Sequence, residues 1–487
     1  MVPENLRFGG GVSGTVFNPA VAVIIILTGL LICFLPQKKV IVPFLLTSIL
    51  IPADQILVVA GLHFYLLRIL IVFGMIRIFL IKGRGEWNVF SGGLNKIDKA
   101  LIFLSVTSAA AGILLFQNSQ ASIAQLGELY TALGTYFLLR CLIRNREDVV
   151  RAIRVLAVIV VVLGGVMTFE HLMNGWNPYA LLGGARAQYF ASDLARDGSV
   201  RATASFGTPI LAGTFGAVAL PLFIGLWMND RKQRGVAVLG MLGATVMTVA
   251  SHSSTPVFAY LAGLVGLCLW PIRGAMRVIR WGIVIMLVLL QIFMKAPVYA
   301  LITRMDISGS SYHRYALIDL SVRHFSEWWL IGTKSNVNWG WDMWDTANQY
   351  VDHAISGGLL GLILFIAIIV YGFKYLGNAR RAAADRKQAL FFWTLGATLF
   401  AYTMSFFGIS LWDQSVAEWY ALLAFIGAVA VPQAQAAEWQ AGTALDPGMA
   451  AGIQPAYAGG NNHRLLDSES VHNDRQVPLH RQRAKEF

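Results

Sequence analysis

Apolar residues along the chain gather into runs of about 15–20, the length at which an α-helix crosses a hydrocarbon core, and short polar or basic stretches separate them. Thirteen runs are read: 18–35, 40–60, 62–81, 100–116, 121–142, 152–169, 209–228, 236–250, 256–270, 281–294, 355–373, 390–408 and 416–431. The first two are weakest, and Pro43, Pro52 and Asp54 interrupt the second, which reads as a bent span or a re-entrant piece. The pattern predicts an all-α polytopic membrane protein with about twelve transmembrane helices (eleven to thirteen). A transmembrane barrel would show alternating segments of about ten residues instead, and none is read here.

Two stretches between runs are long, 170–208 and 295–354. The second is expected to carry short helices, among them an amphipathic interfacial one over about 312–331. After Val431 the apolar pattern stops and Ala, Gly, Gln, Asn and Asp take over. Ordering such a segment costs backbone entropy with no buried surface to offset it. Residues 1–431 are therefore expected to form the membrane domain, and 432–487 a disordered cytoplasmic tail.

Composition narrows the class. Of 487 residues, 56% are hydrophobic and 13% charged, with a mean hydropathy of +0.60, where soluble domains carry about 25% charged residues. That excludes a cytosolic enzyme, a disordered scaffold and a secreted disulfide module. The net charge of +12 does not point to nucleic acid. Its basic residues sit at Lys38-Lys39, Lys82 to Lys99, Arg140 to Arg154, Arg231-Lys232-Arg234, Arg273-Arg277-Arg280 and Arg380 to Lys387, in alternate loops, which should be cytoplasmic. The long loops then face outward. The N-terminal MVPENLRFGGG lacks the basic region and cleavage site of a signal peptide, so insertion through the first spans is expected. Cys33, Cys141 and Cys268 are too far apart for a zinc site or a disulfide framework, and His463, His472 and His480 are too loosely spaced for a metal site.

Candidate chemistry lies in the two outer loops. Arg186, Arg196 and Arg201 occur with Asp193 and Asp197 in the first. The second holds Arg304, His313, Arg314, Arg323, His324 and Lys334 among six acidic residues, with Trp328, Trp329, Trp339, Trp341 and Trp344. Arginine is disfavoured on the outer side. Its planar fork suits a diphosphate, although pairing with the neighbouring acids or with lipid headgroups would also account for it. Trp328-Trp329 read as an interfacial belt, whereas Trp339, Trp341 and Trp344 with Asn336, Asn338, Asp342 and Asn348 give the aromatic and polar mixture of a sugar site. Ser251-His-Ser-Ser-Thr-Pro256 is a polar bend between two runs. Its free N–H groups and hydroxyls suit an anion, and a plain tight turn fits equally. The chain has no nucleotide-binding, metalloprotease or serine-hydrolase motif.

Three segments resemble the O-antigen ligase and O-antigen polymerase superfamily of bacterial envelope glycosyltransferases. They are Arg201-Ala-Thr-Ala-Ser-Phe-Gly-Thr-Pro209-Ile-Leu-Ala, then Arg314-Tyr-Ala-Leu-Ile with Trp329-Leu-Ile-Gly332, and Asn348-Gln-Tyr350 with Ser356-Gly-Gly-Leu-Leu-Gly361-Leu. The likeness in layout covers about residues 18–431. Two positions depart from the family pattern. Its histidine before the Asn falls on Ala347, and its Ser-Arg-Gly bend appears as Ser253-Ser-Thr-Pro256. Both favour a chain polymerase over a ligase and leave the general base unassigned.

The resemblance implies metal-independent, cofactor-free glycosyl transfer on the outer face of the bacterial inner membrane. The donor would be an undecaprenyl-diphosphate-linked oligosaccharide. The acceptor would be a growing polysaccharide or, in a ligase, a lipid A core, with a flippase and a chain-length regulator as partners. Arg201 and Arg314 are the expected stabilisers of the leaving diphosphate, and Asp345, Asp352 and His353 the base candidates, with Asp352 equally suited to cap the following span. Arg186, His252, Ser254, His313, Lys334, Trp341, Asn348 and Tyr350 are the expected substrate contacts. A lipid-linked glycan transporter or flippase is the alternative. It would need charged residues within spans, for which only Arg68 and Arg77 qualify, and the spans lack evident two-fold repeats.

Overall fold

Short polar side chains cut the apolar runs into helices. Asn18, Asn95, Asn118, Asn145, Asn348 and Asp385 each turn a side-chain oxygen onto backbone N–H groups of the first turn that follows. Such caps satisfy donors that a helix start leaves open. The computed structural model describes residues 15–59, 62–82, 93–183, 195–196, 199–305 and 311–432. Of the sequence expectations, the 433–487 part of the tail, Arg186, Asp193, Asp197 and Asp306 lie outside them.

The described chain is overwhelmingly helical. In order it forms α1 (Pro19–Phe34), α2 (Ile41–Leu50), β1 (Ile56–Val59), β2 (Leu62–Tyr65), α3 (Leu66–Lys82), α4 (Lys96–Phe116), α5 (Ser119–Leu142) and α6 (Arg146–Leu172). There follow β3 (Ala195–Arg196), β4 (Ser199–Val200), α7 (Pro209–Asn229), α8 (Arg234–Ala250), α9 (Ser254–Cys268) and α10 (Met276–Phe293). The last are α11 (Ser311–Arg323), α12 (Phe325–Trp328), α13 (Gln349–Arg381), α14 (Arg386–Ser405) and α15 (Gln414–Phe425), which runs into a π turn over Ile426–Ala430.

Among the described residues, six helices are long and apolar enough to cross a membrane, and four shorter ones are apolar but span only 10–17 residues. Helix α10 buries none of its residues against protein. An apolar helix that protein leaves uncovered is one suited to lipid.

One expected span is not continuous. The 40–60 run ends its helix at Leu50, and Pro52-Ala-Asp54 turns the chain into an antiparallel hairpin, β1 with β2, paired from Ile56–Tyr65 to Val59–Leu62. Proline supplies no N–H for a helix to continue on, and β-branched Ile56, Val58 and Val59 suit a strand. The interfacial helix expected over 312–331 is likewise two pieces, α11 and α12.

Helix α7 is the centre of the bundle, buried along most of its length and packed against α8, α9 and α14. Helices α6 and α8 meet where Gly164 and Gly243 allow backbones to touch; a Cβ on Gly243 would lie 2.9 Å from the Val160 carbonyl oxygen. Small residues at such crossings are how membrane helices gain contact without a hydrophobic driving force.

The loop before α13 has its own small core. Leu317, Trp328, Trp339 and Met343 close on Val351, Ala354 and Ile355 of α13. Helix α13 is broken at Gly358, whose φ of 67° and ψ of −166° are not helical. The break is filled by the chain around Gly332: Leu359 N donates to Trp329 O at 2.8 Å, and Thr333 N donates to Ile355 O at 2.9 Å. Two of the glycine-containing segments singled out in the sequence therefore interlock.

Hydrogen bonds also sort the helix ends. At one end, Arg77 donates to Ile32 O and Leu35 O at the close of α1, Gln37 donates to Cys141 O of α5, and Arg146 donates to Asn229 of α7. At the other, Gln55 donates to Leu182 O and Gln414 donates to Ile51 O and Ser205 O. The first end gathers the basic clusters. The second carries the candidate site.

Candidate functional site

The Ser251–Ser254 bend joins α8 to α9, and its residues Ser251, Ser253 and Ser254 are buried. His252, at φ 42°, takes the left-handed conformation that lets the chain reverse here. Both arginines singled out in the sequence converge on this bend. Arg201 donates from Nη2 to Ser253 Oγ at 2.6 Å and from Nε to Ser251 O at 3.4 Å. Arg314 donates from Nη1 to Ser254 Oγ at 3.1 Å.

The two guanidinium groups reach the bend from different parts of the chain. Arg201 sits on the strap between β4 and α7, which Glu170 holds in place by accepting from Thr203 N at 2.9 Å and Ala204 N at 3.0 Å. Arg314 lies on the first turn of α11, buried under the small core of the long loop. Gly408 packs on its other side; a Cβ there would meet Thr255 and come within 3.1 Å of Arg314 Nε.

His252 stacks on His171, with ring centroids 5.5 Å apart and planes 21° apart. Burial, His171 and Arg201 together hold the His252 imidazole below its usual pKa. A neutral ring beside an arginine pair is a hydrogen-bonding group, not a third cation.

Asp345 is exposed to water, with neighbouring protein partly desolvating its carboxyl. That burial raises its carboxyl above the ordinary aspartate value, opposed by the nearby charges of His313 and Arg314 and reinforced by Asp342. His313 is fixed by a 2.9 Å contact between Nε2 and Asp342 O. Asp352 accepts from Thr346 Oγ1 at 3.2 Å. It does not cap α13: that helix starts earlier than the sequence suggests, and Asn348 caps it by accepting from Tyr350 N and Val351 N. Asp352 falls in the first turn, where a carboxylate favours the helix dipole.

The other expected contacts are dispersed. Tyr350 donates to Thr403 O at 2.9 Å and packs on Phe407. His353 lies 4.3 Å from the Phe365 ring centre and contacts Gln349. Lys334 is exposed, and Trp341 is 91% exposed. Trp328, read as part of an interfacial belt, is instead buried, donating to Ser321 O at 2.7 Å, and Trp339 is buried with it, donating to Glu327 Oε2 at 2.9 Å. Neither indole is placed to stack on a sugar.

The sequence reading missed Glu170 and His171. Both close an apolar helix, where the pattern alone reads as the edge of a span. The signal available was a Glu-His pair immediately before a long polar loop. No protein-family model matches this chain, and no curated protein matches it.

Proposed function

We propose that the chain is a multi-pass glycosyltransferase of about twelve spans, set in the bacterial inner membrane, that polymerises surface polysaccharide from undecaprenyl-diphosphate-linked repeats on the outer face. The observation that carries this reading is the convergence of Arg201 and Arg314 on one buried bend. An anion leaving from an adjacent sugar would meet two guanidinium groups already held in place. Preorganised charge of this kind needs no rearrangement as the reaction proceeds.

In the reaction an acceptor hydroxyl oxygen bonds to the anomeric carbon while the bond from that carbon to the diphosphate oxygen breaks. The hydroxyl proton passes to a base, and the lipid diphosphate departs with the electron pair. Asp345 is the base of choice, since it is accessible to water and close enough to Arg314 and His313 to feel their charge. A carboxyl with a raised pKa is a better proton acceptor than an ordinary one. The mid-span arginines of the transport alternative have structural partners. Arg68 pairs with Glu128 at 2.9 Å, and Arg77 closes the end of α1.

The test is a strain lacking the chromosomal copy and complemented with variants, its surface glycan resolved by length and the purified protein assayed on lipid-linked repeats. Loss of one transition-state donor costs about 10²–10³ in kcat, which is the expectation for Arg201→Ala and for Arg314→Ala at normal membrane insertion. Loss of a general base costs about 10²–10⁴, expected for Asp345→Asn. Wild-type chain lengths in both arginine variants would overturn the proposal, and product appearing only on a lipid A core would replace polymerase by ligase.

A further inference from the structure

At the basic end of the molecule the turn from α9 to α10 meets the turn from α13 to α14. Trp270 and Trp393 pack edge to face with ring centres 5.7 Å apart, and Trp393 Nε1 donates to Gly266 O at 2.9 Å. Arg273 lies over the Trp270 ring at 4.3 Å, and Arg380 over the Trp393 ring at 5.4 Å. A guanidinium over an indole face is held by the quadrupole of the ring. Arg380 also donates from Nη1 to Arg273 O at 3.1 Å, and Arg273 from Nη1 to Trp270 O at 3.2 Å. Cation, ring, ring and cation thus form a ladder that ties the two turns together.

The ladder collects like charge. The charges of Arg273 and Arg381 both bear on Arg380. Arg277, Arg280, Arg386 and Lys387 stand on the same two stretches, 269–280 and 380–387, whose one acidic residue is Asp385, the cap of α14. Elsewhere at this end arginines have acidic partners: Arg140 lies 3.4 Å from Asp98, and Arg151 lies 2.8 Å from Asp148. Among the described residues no acidic side chain pairs with Arg273, Arg380 or Arg381, and Arg381 donates to Asn378 instead. Each guanidinium has five N–H donors, and the ladder uses one on Arg273 and one on Arg380. The others suit a phosphate, which the planar fork grips through two parallel hydrogen bonds.

The surface that adjoins the ladder is apolar. Helix α10 leaves the Arg273 turn and buries none of its residues against protein, and Leu261 and Val265 of α9 are exposed as well. A free inorganic anion gains nothing from such a wall, whereas a phospholipid presents phosphate and hydrocarbon together. Basic pockets between helix ends are where anionic headgroups bind. We propose that the two turns form a headgroup site for an anionic phospholipid, its phosphate held by Arg273 and Arg380 and its acyl chains lying along the exposed faces of α9 and α10. The 15 residues of α9, about 22 Å of helix, separate this site from the Ser251–Ser254 bend, and it does not depend on the glycosyl-transfer reading.

The full chain, purified in detergent and stripped of lipid, is titrated with phosphatidylglycerol, cardiolipin, phosphatidylcholine or inorganic phosphate. Tm is followed, and bound lipid is counted by native mass spectrometry. Phosphatidylglycerol and cardiolipin are expected to bind and to raise Tm, as a ligand of the folded state does, and phosphatidylcholine and phosphate to do neither. A basic side chain near a headgroup is worth about fivefold in affinity, so Arg273→Gln with Arg380→Gln should weaken phosphatidylglycerol about 25-fold. Arg273→Gln alone, at an exposed position, should lose about fivefold with the lipid-free Tm unchanged, which keeps the test decisive if the double variant unfolds. Lys38→Gln with Lys39→Gln removes the same charge from another exposed turn of this end and should bind as wild type does. Equal binding of phosphatidylcholine, no lipid binding at all, a full Tm shift with phosphate alone, or an equal loss in the lysine variant overturns the headgroup site.

Discussion

His252 and Asp413 share a property that the sequence does not display: both hold a positive φ without being glycine. Among the described residues Gln117, Asn174, Ala204 and Asp342 do so as well, and four of the six gather around the arginine site: His252 in the bend, Ala204 on the Arg201 strap, Asp413 against Gly207 of the same strap, and Asp342 against His313. Such conformations persist where the surroundings impose them, and they concentrate at functional sites. Arg201 and Arg314 were legible because arginine is disfavoured in loops that the charge pattern assigns to the outer side. Glu170, His171 and Asp413 were not, since a carboxylate or imidazole at a helix end looks the same whether or not a distant strap folds onto it. His252 gives a pH prediction at this scale. Its folded pKa lies below the ordinary histidine value, so in the window between the two the unfolded chain binds more protons. Stability is then complete above the ordinary value and falls as pH drops through that window. His252→Asn keeps the left-handed turn and removes the titration. Thermal unfolding followed from about pH 7 to about pH 5 should show a smaller decline in Tm for the variant, and identical declines would remove His252 as the source.

Helices were the most legible level, because each of the thirteen apolar runs contains one principal helix. The 40–60 run is interrupted at Pro52, as its prolines suggested, but the hairpin that follows was not legible, because composition stayed apolar beyond the break. The break in α13 was hidden, because the run through Gly358 is apolar on both sides and only tertiary structure selects its conformation. Gly332 and Gly358 are needed there for separate reasons that meet: each has a positive φ, and each sits against the backbone of the other's segment. A Cβ on Gly358 would lie 2.5 Å from Leu330 O. Gly358→Ala should therefore cost about 1–3 kcal/mol or more, the range for a residue forced into a sparsely populated conformation. Gly396→Ala is the matched comparison, since that helical position has open space around it and alanine there gains up to about 1 kcal/mol. Thermal unfolding of both variants in detergent checks the pair. Equal Tm values would mean that the break in α13 is not held by the Gly332 segment.

At the scale of the whole molecule the two ends are chemically distinct, and that distinction fixes the orientation proposed for the membrane. The end of α1, α3 and α5 gathers Arg77, Arg140 and Arg144, and the ends of α9 and α13 join Arg273 to Arg380 by a 3.1 Å hydrogen bond. A basic surface of this kind favours the cytoplasmic side, and in the proposed orientation the Ser251–Ser254 bend would face outward, where a lipid-linked repeat would be met after its export. Two exposed positions report the two ends without disturbing packing. Gly274 has open space around it, in the turn between α9 and α10. Trp341 is 91% exposed, in the loop before α13. With Cys33, Cys141 and Cys268 replaced by serine, Trp341→Cys should react with a membrane-impermeant maleimide added to spheroplasts, and Gly274→Cys only after permeabilisation or in inverted vesicles. The reverse pattern would turn the molecule over and put the arginine pair on the cytoplasmic face. Labelling of both cysteines from one side would mean that the two ends do not lie across a bilayer from each other, and the transferase reading would lose its location along with its substrate.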